Sequence, residues 1–354
     1  MKKHYNIPVF ITHSGCKNDC VFCNQKIITG HSESSGEKET RDTIEKFIDI
    51  IFNRIDIDNN NYVGTEIAFF GGSFTGLEKS QMIRFLEIAN EYIDKYKIIN
   101  GVRLSTRPDY ISPEIIDILL KYRVKSIELG IQSMFDDVLT ACKRGCTVKD
   151  TEKACALIKS AGINLTGQMM LGLPESNREK DIETARRLIE LKIDSARIYP
   201  TVVLHDTQLY DMYKRGKYEP INLDEAVFRC KEIKKIFDKN KIEILRMGLC
   251  SSDDFNNGSD NINIIGAYHP AFGELVEGEI IYDKLVEDIK IINSEKIIIY
   301  ADKKSMSKII GHKRKNIDRL RQRFFDKDIK ILENQKNSID NNNIDLYKIE
   351  ITEN

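Results

Sequence analysis

Gly15-Cys16-Lys17-Asn18-Asp19-Cys20-Val21-Phe22-Cys23 places three cysteines within eight positions, directly after a short β-branched and aromatic run over 7–11. Thiolates are soft ligands, and this spacing lets one loop wrap a face of an iron–sulfur cubane. Four irons with only three local cysteines leave one iron without a protein ligand, and so open to chemistry. The same three cysteines with His13 or His31 as fourth ligand would instead make a closed zinc site. A metal loop at the end of a strand also bears on the fold, because only certain sheets gather their chemistry there.

Short apolar runs read as strands over 7–11, 66–70, 101–105, 126–129, 164–170 and 195–203. Between them, amphipathic stretches read as helices over 41–53, 80–96, 112–121, 147–161 and 178–191. Ser112-Pro113 and Asp150-Thr151 suit helix starts and Gly162 a helix stop. Six such β/α units predict an α/β protein, either an open doubly wound sheet or a complete or partial (β/α) barrel. In both, functional residues lie at the C-terminal ends of the strands. The unusual residues fall there: Gly15 and Cys16, Gly71-Gly72-Ser73, 105–107, 130–133 and Gly172-Leu173-Pro174.

Beyond about residue 220 the pattern changes to a helix over 223–240, a strand over 242–247 and a polar loop over 251–259. A second unit starts near Ser294, with strands over 296–300, 328–332 and 346–351, a helix over 306–325 and a polar loop over 337–343. The expected division is a core over 1–220, its extension over 221–293 and a small α+β domain over 294–354.

With 354 residues and 41% hydrophobic content, the chain can bury a large core, which argues against a disordered or fibrous protein. Lys plus Arg (54) balance Asp plus Glu (55), so any nucleic-acid surface must be a local patch. Nowhere do 18 apolar residues run together, and the first residues lack a long apolar segment. The expectation is a cytoplasmic protein with no membrane association. Cys142, Cys146, Cys155, Cys230 and Cys250 are scattered and read as buried or incidental thiols in a reducing compartment.

The three cysteines, with the aromatic Phe22 before the third, resemble the signature of the radical S-adenosylmethionine (SAM) superfamily. Phe69-Phe-Gly-Gly-Ser-Phe-Thr-Gly-Leu77, Ser105-Thr-Arg-Pro-Asp109, Glu128-Leu-Gly-Ile-Gln-Ser133, Arg144-Gly145 and Leu171-Gly-Leu-Pro174 resemble the radical domain shared by Elongator protein 3 and the oxygen-independent coproporphyrinogen oxidases. Ile198-Tyr-Pro-Thr201, Leu209-Tyr-Asp-Met-Tyr213, Gly216-Lys-Tyr218 and Tyr268-His-Pro-Ala-Phe-Gly-Glu-Leu-Val-Glu277 are similar to Elongator protein 3 in particular.

The resemblance implies a complete or partial (β/α) barrel of the radical SAM type. It also implies a [4Fe-4S] cluster on Cys16, Cys20 and Cys23, and an electron donor such as ferredoxin or flavodoxin. Reductive cleavage of SAM would then give a 5'-deoxyadenosyl radical. Carried over by position, Phe22 packs near the adenine of SAM and Gly71, Gly72 and Ser73 meet its amino group. Ser105, Gln132, Arg144 and Gln168 complete the lining, with Arg144 pairing to the SAM carboxylate. Coproporphyrinogen oxidases carry acids where this chain has Ser105 and Gln168. Elongator protein 3 spaces its first two cysteines more widely, and it adds an acetyltransferase domain that is not expected within these 354 residues.

The segment Lys308-Ile-Ile-Gly311-His-Lys313-Arg314-Lys315 resembles the loop of a KH RNA-binding module, with Arg314 in place of the second glycine. Its cations suit phosphates, which makes Lys308, Gly311, Lys313, Arg314 and Lys315 candidate RNA contacts; a solvated basic helix face is the plainer alternative. The leading expectation is thus a radical SAM enzyme that modifies RNA, in particular tRNA. Two alternatives are a radical SAM enzyme acting on a small molecule such as a tetrapyrrole, and a noncatalytic zinc-stapled RNA-binding protein. His269 is readable as an acid or base or as a structural loop histidine.

Overall fold

The computed structural model describes residues 3–11, 14–16, 20–24, 35–54, 62–249, 264–333 and 347–351. His13, His31, Cys250 and the tracts 251–259 and 337–343 lie outside them. The chain forms two compact units, Met1–Arg229 with Ile233–Pro270, and Cys230–Glu232 with Ala271–Asn354.

In the first unit strands and helices alternate: β1 (Lys3–Phe10), α1 (Glu37–Arg54), β2 (Tyr62–Phe70), α2 (Lys79–Lys95), β3 (Ile99–Thr106), α3 (Pro113–Lys121), β4 (Val124–Gln132), α4 (Asp136–Ala141), α5 (Val148–Ser160), β5 (Asn164–Leu171), α6 (Arg178–Glu190) and β6 (Ser195–Pro200). Then come β7 (Val202–Val203), α7 (Gln208–Lys214), α8 (Leu223–Lys239), β8 (Glu243–Met247) and β9 (Ile265–Gly266). Strands β1 to β6 pair in chain order and β8 follows β6, all parallel. The sheet curls into a partial β/α barrel.

Alternation of side chains along each strand gives the sheet two unlike faces. Ile67 and Phe69 are fully buried, and Phe69 packs on Phe74 and on Phe85 of α2, so this face lies under the helices. The opposite, concave face carries charge. Glu66 accepts from Arg103 Nε at 2.9 Å and from Ser126 Oγ at 2.7 Å, and Arg197 Nε lies 2.9 Å from a Glu128 carboxylate oxygen. Cross-strand ion pairs thus line the barrel below the strand ends.

Local sequence explains several boundaries. Ser112 caps α3 by accepting from Ile115 N, and Gly162, at φ +70°, ends the turn after α5. The expected start of α5 at Asp150-Thr151 is corrected: Thr147 is the cap and Asp150 its partner in a capping box. The expected strand over 195–203 stops at Pro200, and Val202–Val203 pair instead with β9. Six expected units become seven strands, because 243–247 joins the sheet beside β6.

The second unit consists of α9 (Phe272–Lys290), β10 (Lys296–Ala301), α10 (Lys303–Ile310), α11 (Lys315–Arg323), β11 (Asp328–Glu333) and β12 (Tyr347–Ile351). Strand β10 is central, parallel to β11 and antiparallel to β12. Its core includes Ile281, Leu285, Ile289, Ile297, Ile299, Ile309, Leu320 and Ile329. The single helix expected over 306–325 is broken at Gly311 (φ +78°), and Lys313 and Arg314 also take positive φ. Among the described residues no helix is long and apolar enough to cross a membrane.

Candidate cofactor site

The loops that follow β1 and β2 are joined through their backbones. Ile11 N donates to Phe70 O, Ser14 N to Ile11 O and Ser73 N to Ser14 O, at 2.8 to 3.0 Å. Two glycines make this closeness possible. A Cβ on Gly15 (φ +75°) would lie 2.1 Å from Ser73 O, and one on Gly72 would lie 2.4 Å from Ile11 O. The cysteine loop and the glycine turn are therefore one assembly, and across it Cys16 Sγ stands 3.1 Å from Ser73 Oγ.

The rest of the cysteine loop is held by elements from later in the chain. Cys23 N closes a turn on Cys20 O, Val21 N donates to Cys142 O at the end of α4, and Leu209 N in α7 donates to Val21 O at 2.7 Å. Val21 is buried with Val138, Cys142, Leu173, Val203 and Leu209, and the half-buried Phe22 packs against this group. Cys16 is exposed, Cys23 half-buried and Cys20 buried. Among the described residues no three His, Cys, Asp or Glu side chains converge as a single metal ion requires. In a cubane each cysteine meets its own iron, so the thiols need not share one point.

Two buried guanidiniums surround Cys20. Arg144 Nη1 donates to Cys20 Sγ at 3.3 Å and its Nη2 to Gly130 O, while its Nε has no hydrogen-bond partner among the described residues. Arg107 pairs bidentately with Asp109, donates to Arg144 O at 2.5 Å and approaches Cys20 Sγ at 3.9 Å. Burial opposes the charge on Arg107, yet the Asp109 carboxylate outweighs it and holds the guanidinium above its ordinary pKa. Among the described residues Arg144 has no carboxylate partner.

A buried cation without an anion is unfavourable, and a thiolate-ligated cluster on Cys20 would supply the missing negative charge. With three thiols on one loop and a guanidinium beside Cys20 that has no carboxylate partner among the described residues, the residues present fit a [4Fe-4S] group with SAM beside it.

Of the other residues singled out in the sequence, Ser73 and Gln132 are buried and Ser105 and Gln168 half-buried. Gln168 Nε2 reaches Gln132 Oε1 at 3.5 Å, and Gln132 sits at φ +70°, an uncommon conformation for a residue with a Cβ. Gly71 also has positive φ, in the turn after β2. His269 is half-buried just past β9. Cys142, Cys146, Cys155 and Cys230 are all buried. Sequence reasoning missed Arg107 and Asp109 as site residues, although an Arg-Pro-Asp run at a strand end was the available signal.

In the second unit Lys313, Arg314 and Lys315 are exposed with His312, whereas Lys308 and Gly311 are half-buried. Asn316 is buried behind them and donates to Gly278 O at 2.8 Å, which anchors the loop.

Residues 10–188 match the family model of the radical SAM superfamily. The chain belongs to the radical SAM superfamily. Its residues 193–282 also match the radical SAM C-terminal domain. This radical SAM chain is 38% identical over 139 residues to a tRNA uridine(34) acetyltransferase of Methanocaldococcus jannaschii, covering 38% of this chain and 26% of that protein. It is 35% identical over 130 residues to Elongator complex protein 3 of Saccharomyces cerevisiae, covering 36% of this chain and 23% of that one. The solved structure of Methanocaldococcus infernus Elp3 with an N-terminal deletion superposes with a TM-score of 0.60 at 25% identity, over 82% of this chain and 64% of that one. The matched segments thus span about a quarter of the curated relatives.

Proposed function

We propose that this chain is an enzyme that holds a [4Fe-4S] cluster on Cys16, Cys20 and Cys23, cleaves SAM reductively and directs the resulting radical to RNA, with tRNA as the substrate class. The observation that carries the reading is the buried Arg144 guanidinium, which donates to Cys20 Sγ and has no carboxylate partner among the described residues. When bound, the cluster and SAM supply a carbon radical able to abstract hydrogen.

The protein's own residues then have distinct tasks. Gly15 and Gly72 let the backbones of the two loops pack directly on each other, and Ser73 orients Cys16. Gly71, Gly72 and Ser73 are assigned to the amino end of SAM, Phe22 to the adenine, and Ser105, Gln132 and Gln168 to the remaining polar edge. Arg144 balances negative charge at the thiol loop, and the strap from Val21 to Cys142 and Leu209 holds the backbone of the loop against α4 and α7. The RNA assignment is supported by the tRNA-directed activity for which the M. jannaschii relative is named, and by the exposed cations from His312 to Lys315, which suit phosphates. A cytoplasmic setting with a ferredoxin or flavodoxin donor accords with this chemistry.

The test is anaerobic reconstitution with iron and sulfide, reduction with dithionite, addition of SAM and assay of 5'-deoxyadenosine beside a Cys16/Cys20/Cys23→Ala triple variant. Wild type should form the nucleoside and the variant none. A colourless protein that forms none overturns the reading. Salt-sensitive binding of tRNA, lost in a Lys313/Arg314/Lys315→Ala variant, tests the substrate class separately.

A further inference from the structure

Arg107 is the largest fully buried side chain, only 2% exposed, and it sits at the end of β3 facing the cysteine loop. Its polar contacts among the described residues lie near that loop: two to Asp109, one to Arg144 O and one approach of 3.9 Å to Cys20 Sγ. A structural arginine could satisfy itself on carbonyls and a carboxylate alone. This one also aims its remaining nitrogen at a thiol to which Arg144 already donates at 3.3 Å. Cys20 thereby faces two buried guanidiniums and, through Asp109, one carboxylate that neutralises the more distant of them.

We propose that Arg107 and Asp109 form a positioning pair that sets the reduction potential of the centre bound at Cys20, with Arg107 raising it and Asp109 moderating that effect. The proposal rests on the cluster reading above. One electron from a ferredoxin- or flavodoxin-class donor adds one negative charge to the thiolate-ligated centre and forms no bond. A fixed cation in a low-dielectric setting favours that reduced state, and N–H donors to cysteine sulfur act in the same direction. Asp109 has the opposite sign: its carboxylate, 2.9 Å from Arg107 Nε, partly cancels the cation. Removing either partner must therefore move the potential in opposite directions, which a purely structural pair would not do.

The experiment is an electron-paramagnetic-resonance redox titration of reconstituted wild type, Arg107→Met, Arg107→Lys and Asp109→Asn, with iron and sulfide content measured on each. For Arg107→Met the reduced-to-oxidised ratio at a fixed donor potential should fall about tenfold, a shift of about 59 mV toward more negative values for one electron. Asp109→Asn should shift the other way, and Arg107→Lys should stay close to wild type. Should Arg107→Met fail to fold, an Asp109→Asn potential equal to or below wild type still overturns the proposal, as does a parallel shift in both variants. A wild type that binds no iron and sulfide removes the cluster reading and this inference together. A loaded wild type with unmoved variants removes the inference alone.

Discussion

The Cys16 sulfur and the Ser73 hydroxyl lie 3.1 Å apart although 57 positions separate them in the chain. That contact ties the cysteine loop after β1 to the glycine turn after β2. Ser73 is 2% exposed, so its hydroxyl has little water to turn to. A hydrogen bond of this kind contributes about 1 kcal/mol. In Ser73→Ala, iron should leave the reconstituted protein for a chelator about fivefold faster, with the melting temperature little changed. Equal release rates would mean that Ser73 does not orient Cys16.

Acid should weaken the concave face of the barrel first. Burial pushes the Glu66 carboxyl up, but His4, Arg103 and Ser126 outweigh it and lower its pKa from 4.5 to about 2. A carboxylate held below its unfolded value stabilises the fold above pH 4.5, and that contribution is lost as pH falls toward 2. The amount at stake is on the order of 3 kcal/mol. Denaturant titrations should show wild type losing stability across that window, and Glu66→Gln a flatter profile there. At neutral pH Glu66→Gln should be the weaker protein, because the half-buried Arg103 loses its charged partner.

Thiol labelling should divide the cysteines by burial. Burial pushes Cys142 and Cys155 up to about 12 and Cys146 up to about 11, so few thiolates form there at neutral pH. Iodoacetamide at pH 7.5 on the folded apo protein should mark the exposed Cys16 and leave those three unmodified, as read by peptide mass spectrometry. Unfolding in denaturant should make all of them reactive. Rapid native labelling of Cys146 would show that the segment after α4 opens.

Arg314→Gly separates stability from RNA contact. Arg314 stands at φ +67° in the left-handed region, which disfavours a residue with a Cβ by about 1–2 kcal/mol. Glycine relieves that strain, while its extra freedom in the unfolded chain offsets about 0.5–1 kcal/mol. Strain relief outweighs the lost chain entropy, so the melting temperature should hold or rise. If Arg314 meets a phosphate, the same variant should bind tRNA more weakly, with the slope of log K against log salt reduced by about 0.7. An unchanged slope would assign Arg314 to the solvated surface.

What the sequence determined by itself is what depends on short-range pattern. Short β-branched and aromatic runs marked the strands from 66–70 to 164–170, Ser112 marked a helix start, and Gly15, Gly72 and the three cysteines stood at the strand ends. Tertiary structure decided where the long side chains went. Arg144 reaches Cys20 across 124 positions and Arg107 across 87, and no local periodicity states which loop a guanidinium will meet. The same holds for 243–247, whose place beside β6 follows from closure of the sheet, and for Gly311, where the basic helical pattern runs on in sequence but Asn316 pins the backbone into a turn. Charge compensation at Cys20 is likewise a property of neighbours in space: it arises only when the ends of β1, β3 and β4 are brought to one end of the barrel.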